Sequence, residues 1–167
     1  ALRRNCGGYR RGPIPWSWAL MASRDLADCH RVLAERFKAI RLRYVQDHAG
    51  HALEVTCTHR SPEEQFALYQ KGRQLYEGRW VVVDPARIVT KCDVTIKVSL
   101  HNVKPARALD VVVVVAGKWC WAEAEYAPLG PLASEEGLRW GGDWDGNPAT
   151  KETFVDAPHL ELPADVP

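Results

Sequence analysis

No stretch of the 167-residue sequence approaches the ~20 consecutive apolar residues that a membrane-spanning helix needs. An excess of one charge is also missing. The 22 Lys and Arg residues against 21 Asp and Glu leave a net charge of +1, so the whole chain makes no electrostatic case for nucleic acid. There is no C-x-x-C pair, and Cys6, Cys29, Cys57, Cys92 and Cys120 are odd in number. That argues against a disulfide framework and fits synthesis in a reducing cytoplasm, with the cysteines acting as small buried hydrophobes. Methionine occurs once, at Met21, just before the first helical pattern. A secretory signal is a poor fit, because Pro13 and Pro15 interrupt a very short apolar stretch. Internal repeats are missing too, and the length fits one domain with a single core.

What is present is an ordinary globular balance, 46% hydrophobic and 26% charged. Residues 1–22 read as a basic, flexible arm: Arg3, Arg4, Arg10 and Arg11 stand among Gly, Pro and Trp with no periodic pattern. Residues 23–167 form the domain. Ser23 caps a helix opening at Arg24, with Leu26, His30, Leu33, Phe37, Ile40 and Tyr44 on one stripe. Leu53 to Thr58 alternates as a half-buried strand. Ser61, Pro62 and Glu64 supply an N-cap, a first-turn proline and a capping-box acid for a second helix, with Phe66, Leu68 and Tyr69 as its apolar side. Trp80 to Val83 and Val94 to Val98 read as short strands around Asp84-Pro85. Residues 108–115 make the central strand, short helical pieces follow at 123–126 and 129–137, and His159 to Leu162 closes the domain as a strand. The sum is a small α+β domain, helices packed on an antiparallel or mixed sheet.

Two residues stand out chemically. Asp110 sits at the head of five consecutive valines, where an unpaired carboxylate would be costly to desolvate. It needs a metal, a turn to cap, or a partner such as Arg107. His159 shares a strand face with Glu161, opposite Leu160 and Leu162. With His101, these give two imidazoles and a carboxylate, a ligand set that suits zinc in preference to magnesium or calcium.

The ordered set S-x-H-N-x-x-P-x-R-A-x-D (99–110), W-G-G-D-W (140–144) and D-x-P-H-x-E-L (156–162) resembles the M15 family of zinc peptidases. Thr56 to Gln65 and Leu68-Tyr69-x-x-Gly72-Arg73 look like that family's amino-terminal motif. The similarity runs from about Asp25 to Leu162. The family includes D-Ala-D-Ala carboxypeptidases and dipeptidases and phage L-alanyl-D-glutamate endolysins, and is related in fold to the hedgehog signalling domain.

The resemblance implies roles at matching positions. His101, Asp110 and His159 would bind Zn2+, Asp156 would be the catalytic carboxylate, and Arg60 would steady the substrate carbonyl. Gln65, Ser99 and Trp140 would line the substrate cleft. Glu161 is a rival for the base, but is better read as orienting a ligand histidine. The metal motif is two residues longer than the more common H-x-x-G-x-A-x-D form, which points to the phage-associated branch. The expectation is a monomeric zinc endopeptidase, made in the host cytoplasm and released to the cell wall, that cuts the L-Ala–D-Glu bond of the peptidoglycan stem peptide. A D-Ala-D-Ala carboxypeptidase or dipeptidase is the alternative within the enzyme class. A non-catalytic, zinc-stabilised binding module is the alternative outside it.

Overall fold

Val111 to Val115 supply five β-branched side chains in a row, and they form most of β4 (Ala108–Val115), the strand on which the sheet is built. The structure, a computed structural model, describes residues 22–147, 149, 150, 152 and 154–167. The basic arm expected over 1–22 lies, apart from its last residue, outside the described residues. Along one edge of β4 runs β1 (His51–Cys57). The other edge is shared by β5 (Lys118–Cys120) at one end and β7 (His159–Glu161) at the other, with β6 (Arg139–Trp140) beyond β7. All four of these strand pairs are antiparallel. A separate hairpin joins β2 (Arg73–Tyr76) to β3 (Arg79–Val82). Its turn residues Glu77 and Gly78 both have positive φ, 47° and 77°, as a tight two-residue hairpin turn requires.

Three of the helices cover one face of the sheet. Helix α1 (Arg31–Asp47) buries Leu33, Phe37, Ile40 and Tyr44 completely, spaced at three and four residues. Each such side chain contributes about 1.5–3 kcal/mol relative to exposure. They meet Leu53 of β1 and Leu109, Val111 and Val113 of β4. Leu129 and Leu132 of α4 (Leu129–Glu135) complete the layer, with α3 (Glu123–Tyr126) supplying Tyr126. The architecture is therefore α+β, as the sequence suggested. No helix among the described residues is long and apolar enough to cross a membrane.

Three local expectations need correction. The first helix does not open at Arg24: Leu26–Asp28 form a 3₁₀ turn capped by Asp25, and α1 begins only after His30, whose ring nitrogen accepts the Val32 N–H. Val94 to Val98 is not a strand. Asp93 Oδ1 accepts the N–H groups of Thr95, Ile96 and Lys97 and folds the segment into a turn, with Val94 at φ 66°. Helix α2 (Pro62–Tyr69) has the predicted capping box, but it turns Glu64 and Gln65 inward, while Phe66, Leu68 and Tyr69 are half-buried. Phe66 instead stacks on Tyr69 and meets Trp80 of the hairpin edge-on.

Candidate metal centre

The strand register brings the candidate residues together. In the antiparallel pair β4–β7, Leu109 lies opposite Leu160 on the core face, so the neighbouring pairs, Asp110 with His159 and Ala108 with Glu161, fall on the other face. Next along, Arg139 of β6 lies opposite Glu161. On the far side of β4 a register shift between Val55 and Cys57 places Cys57 opposite Asp110. Without that bulge the alternation would have kept Cys57 on the core face with Leu53 and Val55. His101 arrives from the turn after Ser99. The Arg60 N–H donates to the His101 carbonyl at 2.9 Å, and Asn102 Nδ2 donates to the carbonyls of Arg60 and Ser61.

Three donor atoms converge there. His159 Nδ1 is 3.0 Å from Asp110 Oδ1, His101 Nε2 is 3.2 Å from the same oxygen, and the two nitrogens are 3.4 Å apart. A tetrahedral ion with ligand bonds of ~2.0–2.1 Å holds its donors roughly 3.3 Å from one another, so the triangle matches the spacing zinc requires. The remaining ring nitrogens are also occupied. His101 Nδ1 lies 2.6 Å from the Thr58 carbonyl, and His159 Nε2 lies 3.1 Å from Glu161 Oε2. Those partners accept N–H bonds and leave His101 Nε2 and His159 Nδ1 as lone-pair donors.

Arg60 completes the anchoring. Its Nη2 donates to Asp110 Oδ2 at 3.1 Å, the oxygen not in the triangle, and its Nη1 donates to Gln65 Oε1 at 2.9 Å. Arg107, the other partner considered for Asp110, donates instead to the carbonyls of Pro163 and Val166. Sequence pattern alone gives no reason to place Cys57 at the site. With His101 and Asp110 it forms a second possible ligand set, one donor atom from each lying within 4.8 Å of the others. Its Sγ, however, accepts from Arg60 Nη2 at 3.2 Å and faces His101 Nδ1 at 3.7 Å, the nitrogen already committed to Thr58. The two-histidine, one-aspartate triangle fits an ion better.

The charges are strongly coupled. Burial would raise the Asp110 carboxyl, but His101 and His159 hold it well below the usual range. Burial would lower both imidazoles. Asp110 outweighs that for His101, lifted to about 10, and Asp110 with Glu161 does so for His159, lifted to about 9. Positive charge is therefore favoured beside Asp110. Asp156 differs: burial first, and the Asp110 charge second, push its carboxyl above the ordinary value.

These groups open onto a cleft of about 690 Å³, on whose wall Arg60, Ser99, Asp156 and Trp144 also appear. Among the described residues the Asp156 carboxylate accepts no hydrogen bond, whereas both Glu161 oxygens are engaged, Oε2 by His159 and Oε1 by Arg139 Nη1 at 2.9 Å. Ser99 does line the cleft, and its Oγ accepts the His101 N–H. Gln65 does not: it is wholly buried behind Arg60, its amide donating to Thr90 Oγ1 and the Cys92 carbonyl. Trp140 does not either. Its Nε1 donates to the Ala157 carbonyl and its ring packs against the core, while Trp144 takes the cleft wall, 5.4 Å from the His159 ring. The intervening glycines are required for space, not for an unusual φ. A Cβ on Gly142 would strike the Trp140 ring, and one on Gly141 would strike the Asp156 carbonyl. Asp143, Asp145 and Glu152 form an acidic group further out, whose oxygens accept backbone N–H bonds from residues 144, 145 and 147.

No protein-family model matches the sequence, and no curated protein matches it either. Solved structures do. The Serratia marcescens L-Ala D-Glu endopeptidase ChiX superposes with a TM-score of 0.57 over 86% of this chain and 87% of its own, at 20% sequence identity. The chain shares the fold of that endopeptidase. The match to ChiX spans nearly the whole of both chains.

Proposed function

We propose that this chain is a zinc-dependent peptidase of bacterial cell-wall peptidoglycan, hydrolysing the L-Ala–D-Glu bond of the stem peptide. The observation that carries the reading is the triangle of His101 Nε2, Asp110 Oδ1 and His159 Nδ1, whose 3.0–3.4 Å sides suit one small divalent ion, opening onto a cleft. The choice of bond rests on the fold shared with ChiX, a protein described as an L-Ala D-Glu endopeptidase.

Zinc held by these three residues would act as a Lewis acid and lower the pKa of water to about 7. The protein's own groups divide the remaining work. Asp156, without a hydrogen-bond partner among the described residues and with a raised carboxyl pKa, is the proton carrier. It takes a proton from water as the oxygen attacks the alanyl carbonyl, and gives it to the glutamyl nitrogen as the C–N bond breaks. Glu161 cannot do this while bonded to His159 and Arg139; it fixes the His159 ring. Arg60 spends its guanidinium on Asp110, Gln65 and Cys57, so its first duty is to hold the ligand carboxylate, with any contact to the substrate carbonyl made from its cleft-facing edge.

Mass spectrometry of digested peptidoglycan tests the reading. New amino termini on D-Glu are expected, whereas release of free D-alanine would mark a D-Ala-D-Ala carboxypeptidase instead. Asp156→Ala should lower turnover by about 10²–10⁴-fold with zinc content retained. Unchanged wall lysis in that variant would overturn the assignment of the base.

A further inference from the structure

The cleft is electrically lopsided. One wall, built from residues 89–100, contributes Lys91 and Lys97 and no acid. Asp93, the acid of that segment, does not line the cleft and gives Oδ1 to three backbone N–H groups of its own turn. The other wall, from residues 139–161, contributes Glu152, Asp156 and Glu161. Its basic residues among those described, Arg139 and the candidate metal ligand His159, are both bonded to Glu161. Lys91 reaches toward this second wall, its Nζ lying 5.1 Å from the centre of the Phe154 ring, a contact that holds the ammonium at the cleft. Among the described residues neither lysine has a carboxylate partner.

Two unpaired ammonium groups on one side of a cleft whose other side is acidic suit a substrate that carries negative charge on one flank only. The L-Ala–D-Glu link has that asymmetry. Alanine, joined at both ends, offers no carboxylate. Glutamate joined through its amine and one carboxyl keeps the other carboxyl free, close to the nitrogen that leaves. Resting on the peptidase reading above, we infer that Lys91 and Lys97 recognise this free carboxylate, so that the enzyme favours stem peptides in which it is ionised over those in which it is a carboxamide. The two lysines are specificity-determining residues. The preference comes from charge across solvent, so it weakens as salt rises.

Two synthetic stem peptides differing only in that group, free acid or carboxamide, test the inference through kcat/KM. The protein should favour the acid by roughly fivefold or more, the scale of one exposed charge pair or better. The advantage should reside in KM and shrink in 0.5 M salt. In the Lys91→Gln, Lys97→Gln double variant the acid-to-amide ratio should fall to about one, and Lys91→Glu with Lys97→Glu should invert it. Lys118→Gln, an exposed lysine on β5 outside the cleft, should keep the ratio. Cleavage of both peptides at equal rates, or a preference that survives in the double glutamine variant, overturns the inference and leaves the peptidase reading standing. Cleavage of neither peptide overturns the peptidase reading and this inference with it.

Discussion

Replacing Gln65 with alanine removes a side chain that is wholly buried and makes three hydrogen bonds: one from Arg60 Nη1 at 2.9 Å, and two donated to Thr90 Oγ1 at 2.9 Å and the Cys92 carbonyl at 3.2 Å. The bond to the guanidinium is charge-assisted, about 1.5–3 kcal/mol, and a neutral bond contributes about 0.5–1.5 kcal/mol. Allowing for water entering the space left behind, the loss should be about 2–4 kcal/mol. For a chain of this size that is a fall in Tm of roughly 4–16 °C. A second effect follows, because Arg60 is then held from one side only and Asp110 loses the stiffness of its anchor. Metal affinity should drop by roughly tenfold, the low end for groups that orient ligands indirectly. Thermal melts of the metal-free protein and competition with a zinc chelator read the two effects separately. If Gln65 were instead a substrate group, the variant would raise KM with Tm and zinc affinity unchanged. That result would refute the reasoning.

Gly141→Ala should be among the most damaging single-methyl additions. The new carbon collides with the Asp156 carbonyl and lies 3.0 Å from both the His159 Cβ and the Trp144 ring, so overpacking of about 1–3 kcal/mol must be relieved by moving a ligand strand. A melt together with a zinc titration should show both quantities reduced, and an unchanged zinc affinity would contradict the packing described. The metal-free protein should also show a particular pH dependence of stability. His101 and His159 have folded pKa values of about 10 and about 9, above the ordinary value of about 6.5. Their contribution is thus complete below pH about 6.5 and lost as pH rises through 9 to 10. Asp110 is depressed, so its contribution is present above pH about 4 and lost as pH falls through its lowered value. Tm should therefore be highest between about pH 4 and 6.5 and decline toward pH 10, while zinc binding, which must displace the imidazole protons, should tighten as pH rises.

Much of this layout is legible in the residues. Five valines after an aspartate define β4, the Ser61–Glu64 capping box starts α2, and the alternation His159-Leu160-Glu161-Leu162 sets both faces of β7. Each is a local pattern with one physical solution. Where local pattern and tertiary context part, sequence reading goes astray. Val94, Ile96 and Val98 alternate like a strand, but Asp93 offers its carboxylate to three successive backbone N–H groups, and no strand among the described residues competes for them. Gln65 reads as a polar helix residue facing a cleft, yet it faces inward because a half-buried arginine five residues earlier needs an acceptor. Cys57 reaches the site through a bulge, and a bulge leaves little trace in an alternating sequence. Trp140 and Trp144 are equivalent as letters; the close packing at Gly142 decides which one is enclosed.

Metal analysis of the purified chain tests the central claim most directly. Zinc should bind at one ion per chain, with X-ray absorption showing nitrogen and oxygen neighbours near ~2.0 Å and no sulfur shell near ~2.3 Å. Binding should be lost in His101→Ala, Asp110→Ala and His159→Ala and kept in Cys57→Ser. A sulfur neighbour that disappears in Cys57→Ser, with zinc still bound by His159→Ala, would contradict the account and move the centre to the cysteine side of His101.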